Sequence, residues 1–363
     1  MISSNQSMQK KNGKRLLVLD AVRGLAVIGM FVQHFALNRT NSFVSGNTMI
    51  LFMLCSGISY TLMGRKMLEK KEMAKQFYTR VLSRSVFIDF IGYAIIMLNG
   101  PFAMVLCAYA MLFLISLFLI NRSMRTLIWT AALLFIIAPP LMIIGLSLFA
   151  NTAVLSDIAG GPLSALAWMP VFVTGMIIGR LHLEEMKTAK NMILLGTVIL
   201  VPFKIFSVLI LPNIRMAVEN QMIGTFYAEP NPYAAWPGNI EPIPWHLIFI
   251  DAPQSGSMFE LLIGTGGSLI LLGIFILAEK KLAMLYKPFA CVGRSALTLY
   301  VVQFLIAWGL AMAGIEVTSI DIGSIFMGDI IIAAAVIAAG CLLARLSNAP
   351  LEGAIRRFEH LFV

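Results

Sequence analysis

Residues 16–37, LLVLDAVRGLAVIGMFVQHFAL, are long enough to cross a bilayer as one helix, yet Asp20, Arg23 and His34 interrupt the apolar run. An Asp or Arg near the centre of a membrane helix costs roughly 2.5–3.5 kcal/mol to insert, so such groups line a protein interior or a wet cavity. At about 100° per residue the three side chains fall within roughly 60° of arc, and a rise of about 1.5 Å per residue separates Arg23 from His34 by about 16 Å. One helix face therefore offers polar groups at two membrane depths. That arrangement suits a site that holds a charged cofactor near one surface and does chemistry towards the other.

The 363 residues are 59% hydrophobic and only 12% charged, with a mean hydropathy of +0.87, well outside the range of soluble domains. Apolar runs of about 20 residues recur and no alternating strand pattern appears, which predicts an all-α, polytopic membrane helix bundle rather than a barrel. About ten transmembrane helices are expected, near 16–37, 44–63, 81–99, 102–121, 127–149, 164–180, 191–211, 257–278, 289–313 and 325–346, in a single domain over 1–363. With the N-terminus inside, one face receives Lys10, Lys11, Lys14 and Arg15, then Arg65 to Lys75, Arg122 and Arg125, Lys187 and Lys190, Lys280 to Lys287, and Arg356 and Arg357. The opposite face receives only Arg39 and Arg215. Both termini are thus expected in the cytoplasm, in a multi-pass protein of the bacterial cytoplasmic membrane. The first run is read as retained rather than cleaved, since no small-residue cleavage site follows it. The net charge of +9 is explained by this topology and calls for no nucleic acid.

The segment 212–256 is the long extracytoplasmic connection. Its prolines argue against a continuous helix, Trp236 and Trp245 suit an interface, and Glu229, Glu241, His246 and Asp251 are able to face a polar acceptor. A structural cap and a substrate-binding lid fit equally well. Cys55, Cys107, Cys291 and Cys341 show no CxxC or Cys/His ligand spacing, so neither disulfides nor a metal site is expected.

Other polar groups mark candidate chemistry. Arg80 and Arg84 share a helix face at the cytoplasmic mouth of the third span, where guanidiniums bind phosphates or anchor to anionic lipid. Ser56, in FMLCSGIS, offers a hydroxyl within small-residue helix packing. Arg294, Tyr300 and Gln303 lie along FACVGRSALTLYVVQF, either as bundle groups or as cavity lining. For Asp89 and Lys204 a buried ion pair is the first expectation and a role in the cavity the second. His34 is the best general-base candidate in the chain.

The R-x10-H spacing from Arg23 to His34, followed by FMLCSG and RVLSR, resembles the membrane-integral acyltransferases that modify sugars and envelope polymers. LDAVRGLAVIGM also resembles the first-span signature of YeiB-type bacterial proteins and of the heparan glucosaminide N-acetyltransferases. DAPQSGSMFELLIGTGGSLILLG, VGRSALTLYVVQ and APLEGAIRR look like C-terminal signatures of the YeiB-type group, although relatives often carry His where this chain has Gln254. The heparan-modifying branch places its catalytic histidine beyond the first span, so the role of His34 rests on the R-x10-H comparison. The resemblance implies transfer of an acyl group, commonly acetyl, from cytosolic acyl-CoA such as acetyl-CoA to an extracytoplasmic or membrane-embedded acceptor, a sugar, envelope glycan or small molecule. It gives His34 the catalytic position, places Arg23 along the acyl-CoA channel and has Arg80 and Arg84 bind the phosphorylated end; the reading of the residues adds Ser56 and Arg294 as cofactor-binding candidates, with Asp20, Asp89, Tyr300 and Gln303 in support and no metal. The expected partners are the lipid bilayer, acyl-CoA and the acceptor, with homodimerisation left open. A solute transporter or exporter, with Asp20, Arg23, Asp89 and Lys204 along its path, is the alternative from another class, and a non-catalytic envelope scaffold the third.

Overall fold

Inside hydrocarbon the backbone finds hydrogen-bond partners only within itself, so long apolar runs have to close as helices. The structure, a computed structural model, describes residues 17–68, 74–149, 152–226, 243–315, 327–346 and 349–362, and among these every regular element is helical. In chain order the α-helices are α1 (Leu17–Phe35), α2 (Asn47–Leu68), α3 (Ala74–Ile96), α4 (Leu106–Ile115), α5 (Met124–Phe149), α6 (Ala153–Ala159) and α7 (Ala165–Ile178). They continue as α8 (Met186–Leu209), α9 (Leu211–Phe226), α10 (Met258–Arg294), α11 (Ala296–Met312), α12 (Met327–Leu343) and α13 (Pro350–His360). Five stretches are long and apolar enough to cross a membrane: Leu17–Phe35, Ser42–Arg65, Met124–Phe149, Met186–Leu209 and Met258–Arg294. Shorter apolar helices accompany them.

The core gathers around Trp168, Tyr60, Phe77 and Phe172, all essentially without solvent contact. Around it the outer helices turn apolar side chains outward. On α8, Leu194, Leu195, Val198, Val201, Ile205 and Val208 are exposed. In water such a strip would be an aggregation surface, whereas hydrocarbon accepts it.

Glycines set the closest helix crossings. A Cβ on Gly24 would lie 1.9 Å from the Phe289 carbonyl oxygen, and one on Gly293 would lie 1.9 Å from that of Asp20. α1 and α10 therefore touch backbone to backbone. A similar crossing joins Gly57 of α2 to Gly175 of α7, with each missing Cβ within 2.3 Å of a carbonyl oxygen on the facing helix.

Two boundaries depart from expectation. No loop separates the spans expected at 257–278 and 289–313, because residues 279–288, rich in Lys, Leu, Ala and Met, carry the helical backbone onward. Yet the rings of Phe275 and Tyr286 stack at 4.8 Å, and the Tyr286 hydroxyl donates to the Phe275 carbonyl at 3.2 Å. Eleven residues of straight helix span about 16 Å, so α10 bends sharply between these rings. The chain then breaks at Ser295 before α11 begins. The second departure is α9, which gives the start of the 212–256 segment a helix; Pro212 falls in its first turn, where a missing N–H is harmless. Trp236, Glu229 and Glu241 lie outside the described residues.

Candidate functional site

A cavity of about 800 Å³ opens between α1, α2, α3, α4, the α10–α11 junction and α13. One part of its wall carries the guanidiniums of Arg23, Arg65, Arg84, Arg294 and Arg356; the rest is apolar, with Phe52, Met53, Tyr109 and Phe113 among its surfaces. Each cation is held by its own helix geometry. The glycine crossing of α1 and α10 brings Arg294 Nε to 3.7 Å from Asp20 Oδ2, while Arg23 Nη1 lies 3.6 Å from Asp20 Oδ1 on the same helix. Asp20, 4% exposed, thus sits between two arginines and offsets part of their charge. The other side of Arg23 donates to the Ser59 hydroxyl of α2.

Ser59, not Ser56, is the α2 hydroxyl at this point. The Ser56 hydroxyl donates to the Phe52 carbonyl of its own helix at 2.8 Å and stays out of the cavity wall, behind Tyr109. The sequence does contain Ser59 within the same short motif, but only the α1–α2 rotation decides which turn meets Arg23.

Arg80 and Arg84 do share a face, and a carboxylate already occupies it. Glu359 of α13 accepts from Arg84 Nε at 2.7 Å, with Arg84 Nη2 also at 2.7 Å and Arg80 Nε at 3.5 Å. Arg84 still lines the cavity, whereas Arg80 lies outside its wall. The helix that brings Glu359 is amphipathic, burying Ile355 and Glu359 on one side. Its other end is fixed as firmly. Glu352 accepts from the backbone N–H groups of Leu297 and Thr298 at 2.8 and 3.1 Å and from the Thr298 hydroxyl at 2.5 Å. The α11 N-terminus exposed by the break at Ser295 is thereby capped. Glu352 and Glu359 were missed as site residues; their seven-residue spacing around Ile355 was the available signal.

Tyr300 marks the inner limit of the cavity, where its hydroxyl lies 3.4 Å from the Val105 backbone N–H. One turn further along α11 comes Phe304, and three residues before Val105 comes Phe102. These rings hold His34: its imidazole stacks on Phe102 with centroids 4.1 Å apart and meets Phe304 edge-on at 5.9 Å. Gln303 approaches the imidazole, and Nδ1 of His34 is buried without a completed hydrogen bond. The same two rings also line a second cavity of about 200 Å³, together with Asn99, Met104 and Trp308. His34 and Gln303 are therefore together, beyond the larger cavity rather than in its wall.

Asp89 and Lys204 do not pair. Lys204 Nζ reaches Asp251 Oδ2 at 2.8 Å, where the Ser207 hydroxyl donates as well at 2.5 Å. The helix faces leave no choice: Asp89 of α3 turns toward α4 and α6, where Cys107 and Asp157 place ligand atoms within 4.8 Å of it and of each other. Burial alone would raise the Asp251 carboxyl, but Lys204 and Ser207 overcome it and hold the group below its ordinary value. Spacing in the chain does not group these residues; the fold brings them together from three helices. Cys291 and Cys341, fifty residues apart, are also brought side by side, both as thiols.

A sequence family described as a protein of unknown function (DUF418) matches residues 245–361. The matched part holds Arg294, Tyr300, Gln303, Glu352 and Glu359 and ends short of the α1 face with Arg23 and His34. No curated protein matches the chain.

Proposed function

We propose that the protein is a transmembrane acyltransferase that moves an acyl group, commonly acetyl, from cytosolic acyl-CoA to a sugar, envelope glycan or small acceptor on or within the other side of the bilayer. The observation that carries this reading is the alignment of the arginine-lined cavity, its apolar interior and His34 beyond its inner limit. Arginines bind phosphate oxygens through their planar forks, and pockets of 300–1,000 Å³ are the usual size for cofactor-like ligands. In this scheme Arg23, Arg84 and Arg294 attract the phosphorylated end of the donor, and Asp20 keeps their geometry fixed. The acyl end follows the apolar wall toward Tyr300. His34, steadied by Phe102 and Gln303, removes a proton from the acceptor hydroxyl or amine as that atom attacks the thioester carbonyl; the thiol of CoA leaves. A motion of Phe102 or Phe304 has to join the two cavities for this to occur. The same proposal carries about ten spans, both termini in the cytoplasm, a bacterial cytoplasmic membrane and kinship with YeiB-type proteins.

Acyl-CoA binding by the detergent-purified protein tests the reading. Wild type is expected to bind acetyl-CoA with an affinity that falls as salt rises. An Arg80→Ala, Arg84→Ala, Glu359→Gln variant, which leaves no buried carboxylate unpaired, should retain its fold and bind roughly tenfold more weakly, since a hydrogen bond to a charged group contributes about 1.5–3 kcal/mol. Wild type that ignores acetyl-CoA would return the cavity to the transporter reading, in which Asp20 and Arg23 face a solute. Unchanged affinity in that variant would leave those two arginines as the partners of Glu359 that hold α13 in place.

A further inference from the structure

Two carboxylates and a thiol meet where α3, α4 and α6 converge, outside the lining of the arginine-lined cavity. Asp89 and Tyr93 come from one face of α3, Cys107 from the first turn of α4 and Asp157 from α6. The close approach has a cause in the sequence. Gly92 faces Cys107, and a Cβ there would lie 2.6 Å from the Cys107 sulfur and 3.2 Å from its backbone nitrogen, so α3 and α4 meet this closely only because residue 92 has no side chain. Cys107 is 1% exposed.

The arrangement leaves a charge problem. Asp89 Oδ1 is buried without a hydrogen-bond partner, and among the described residues no lysine or arginine forms an ion pair with Asp89 or Asp157. Tyr93 donates its hydroxyl to Asp157, which satisfies one oxygen and brings no positive charge. Two like charges so close, both partly withdrawn from solvent, are stabilised by a cation or a shared proton.

We propose that Asp89, Cys107 and Asp157 form a zinc-binding site. Their ligand atoms all lie within 4.8 Å of one another. A tetrahedral zinc with bonds of about 2.0–2.3 Å places its ligands roughly 3.5 Å apart, so a small rotation of the two Asp side chains completes the set. The donor chemistry selects the metal: a thiolate disfavours Mg²⁺ and Ca²⁺, which take oxygen ligands, and suits zinc. Binding displaces the thiol proton to solvent, and the dication neutralises two of the three negative ligands. Three protein donors leave a fourth position for water. The proposal does not draw on the acyltransferase reading and stands or falls separately.

The test uses the full-length, tag-free protein in detergent, stripped by chelator and then offered ZnCl₂ or MgCl₂. After gel filtration, wild type is expected to retain one zinc per chain and to unfold several degrees higher with zinc but not with magnesium. Cys107→Ser and, separately, Asp157→Asn on the short α6 should each weaken zinc binding by roughly tenfold or more, since even outer-shell changes at metal sites cost 10–100-fold. Cobalt substituted into wild type should give a thiolate-to-metal charge-transfer band that is missing from Cys107→Ser at an unchanged elution volume. The proposal is overturned if stripped wild type takes up no more zinc than an Asp89→Asn, Cys107→Ser double variant, or if the cobalt band survives Cys107→Ser. The two aspartates then share a proton instead.

Discussion

His34 owes its candidate role to where it is held rather than to its residue type. One ring fixes it face-on and another edge-on, Gln303 stands beside it, and Nδ1 has no completed hydrogen bond. A histidine kept only for packing would be exchanged for a similar flat side chain at little chemical consequence. Under the proposed mechanism, His34→Gln instead leaves acetyl-CoA affinity unchanged and lowers acyl transfer by roughly 10²–10⁴-fold, the usual contribution of a general base. Transfer to acceptor, or slow hydrolysis of the thioester where the acceptor is unidentified, is the assay. Full transfer by a folded His34→Gln protein removes the residue from the mechanism. At this scale the sequence was informative about the polar residues of α1, because charge inside an apolar run is costly wherever it occurs. It did not show which α2 hydroxyl meets Arg23, which helix rotation decides, and the amphipathic spacing of Glu352 and Glu359 marked a buried face without naming the arginine 275 residues away that Glu359 meets.

Helix pairs bring a different kind of constraint, since their spacing is set by residues that have no side chain. Gly24→Ala pushes a methyl group onto the Phe289 carbonyl and is expected to destabilise the protein by about 1–3 kcal/mol. Gly309→Ala, in α11 where nothing lies within 4 Å, should be neutral or stabilising by up to about 1 kcal/mol. Thermal unfolding of both variants in one detergent checks the contrast; equal midpoints would mean that α1 and α10 do not cross this closely. The link from α8 to the outer connection is electrostatic and depends on pH. Because the folded carboxyl of Asp251 titrates below its ordinary value of 3.8, its contribution is complete above that value and is lost as pH falls through the lowered one. Wild type should therefore unfold at a higher temperature than Asp251→Asn at pH 7, and the gap should close in stronger acid. A constant gap would assign the effect to shape instead of charge. Most element positions followed from hydropathy alone, since a bilayer-length apolar run has few alternatives. The bend in α10 falls at the edge of the interval between the spans expected at 257–278 and 289–313, with Pro288 just beyond it; what hydropathy did not show is that the backbone stays helical through it.

For the molecule as a whole, the charge asymmetry of the loops remains the strongest argument about orientation. Single cysteines at Lys187 and Arg215, in a background without the native ones, are expected to react with an impermeant maleimide from opposite faces of the membrane. Labelling of both from one face would overturn the proposed topology. The gathering of α1, α2, α3, α4, α11 and α13 around one cavity was not legible from the chain, since it depends on packing partners hundreds of residues apart. Its inner limit carries a further consequence. A hydrated route from the arginine cavity to the smaller one would let ions run down the membrane potential, worth about 2.3 kcal/mol per elementary charge for each 100 mV. Phe102 and Phe304, in the wall of the smaller cavity and beyond Tyr300 at the inner limit of the larger one, present hydrocarbon on such a route, a material through which a proton does not hop. The rings that grip His34 thus also serve as electrical insulation, and a cell pays for any opening of them in leaked current.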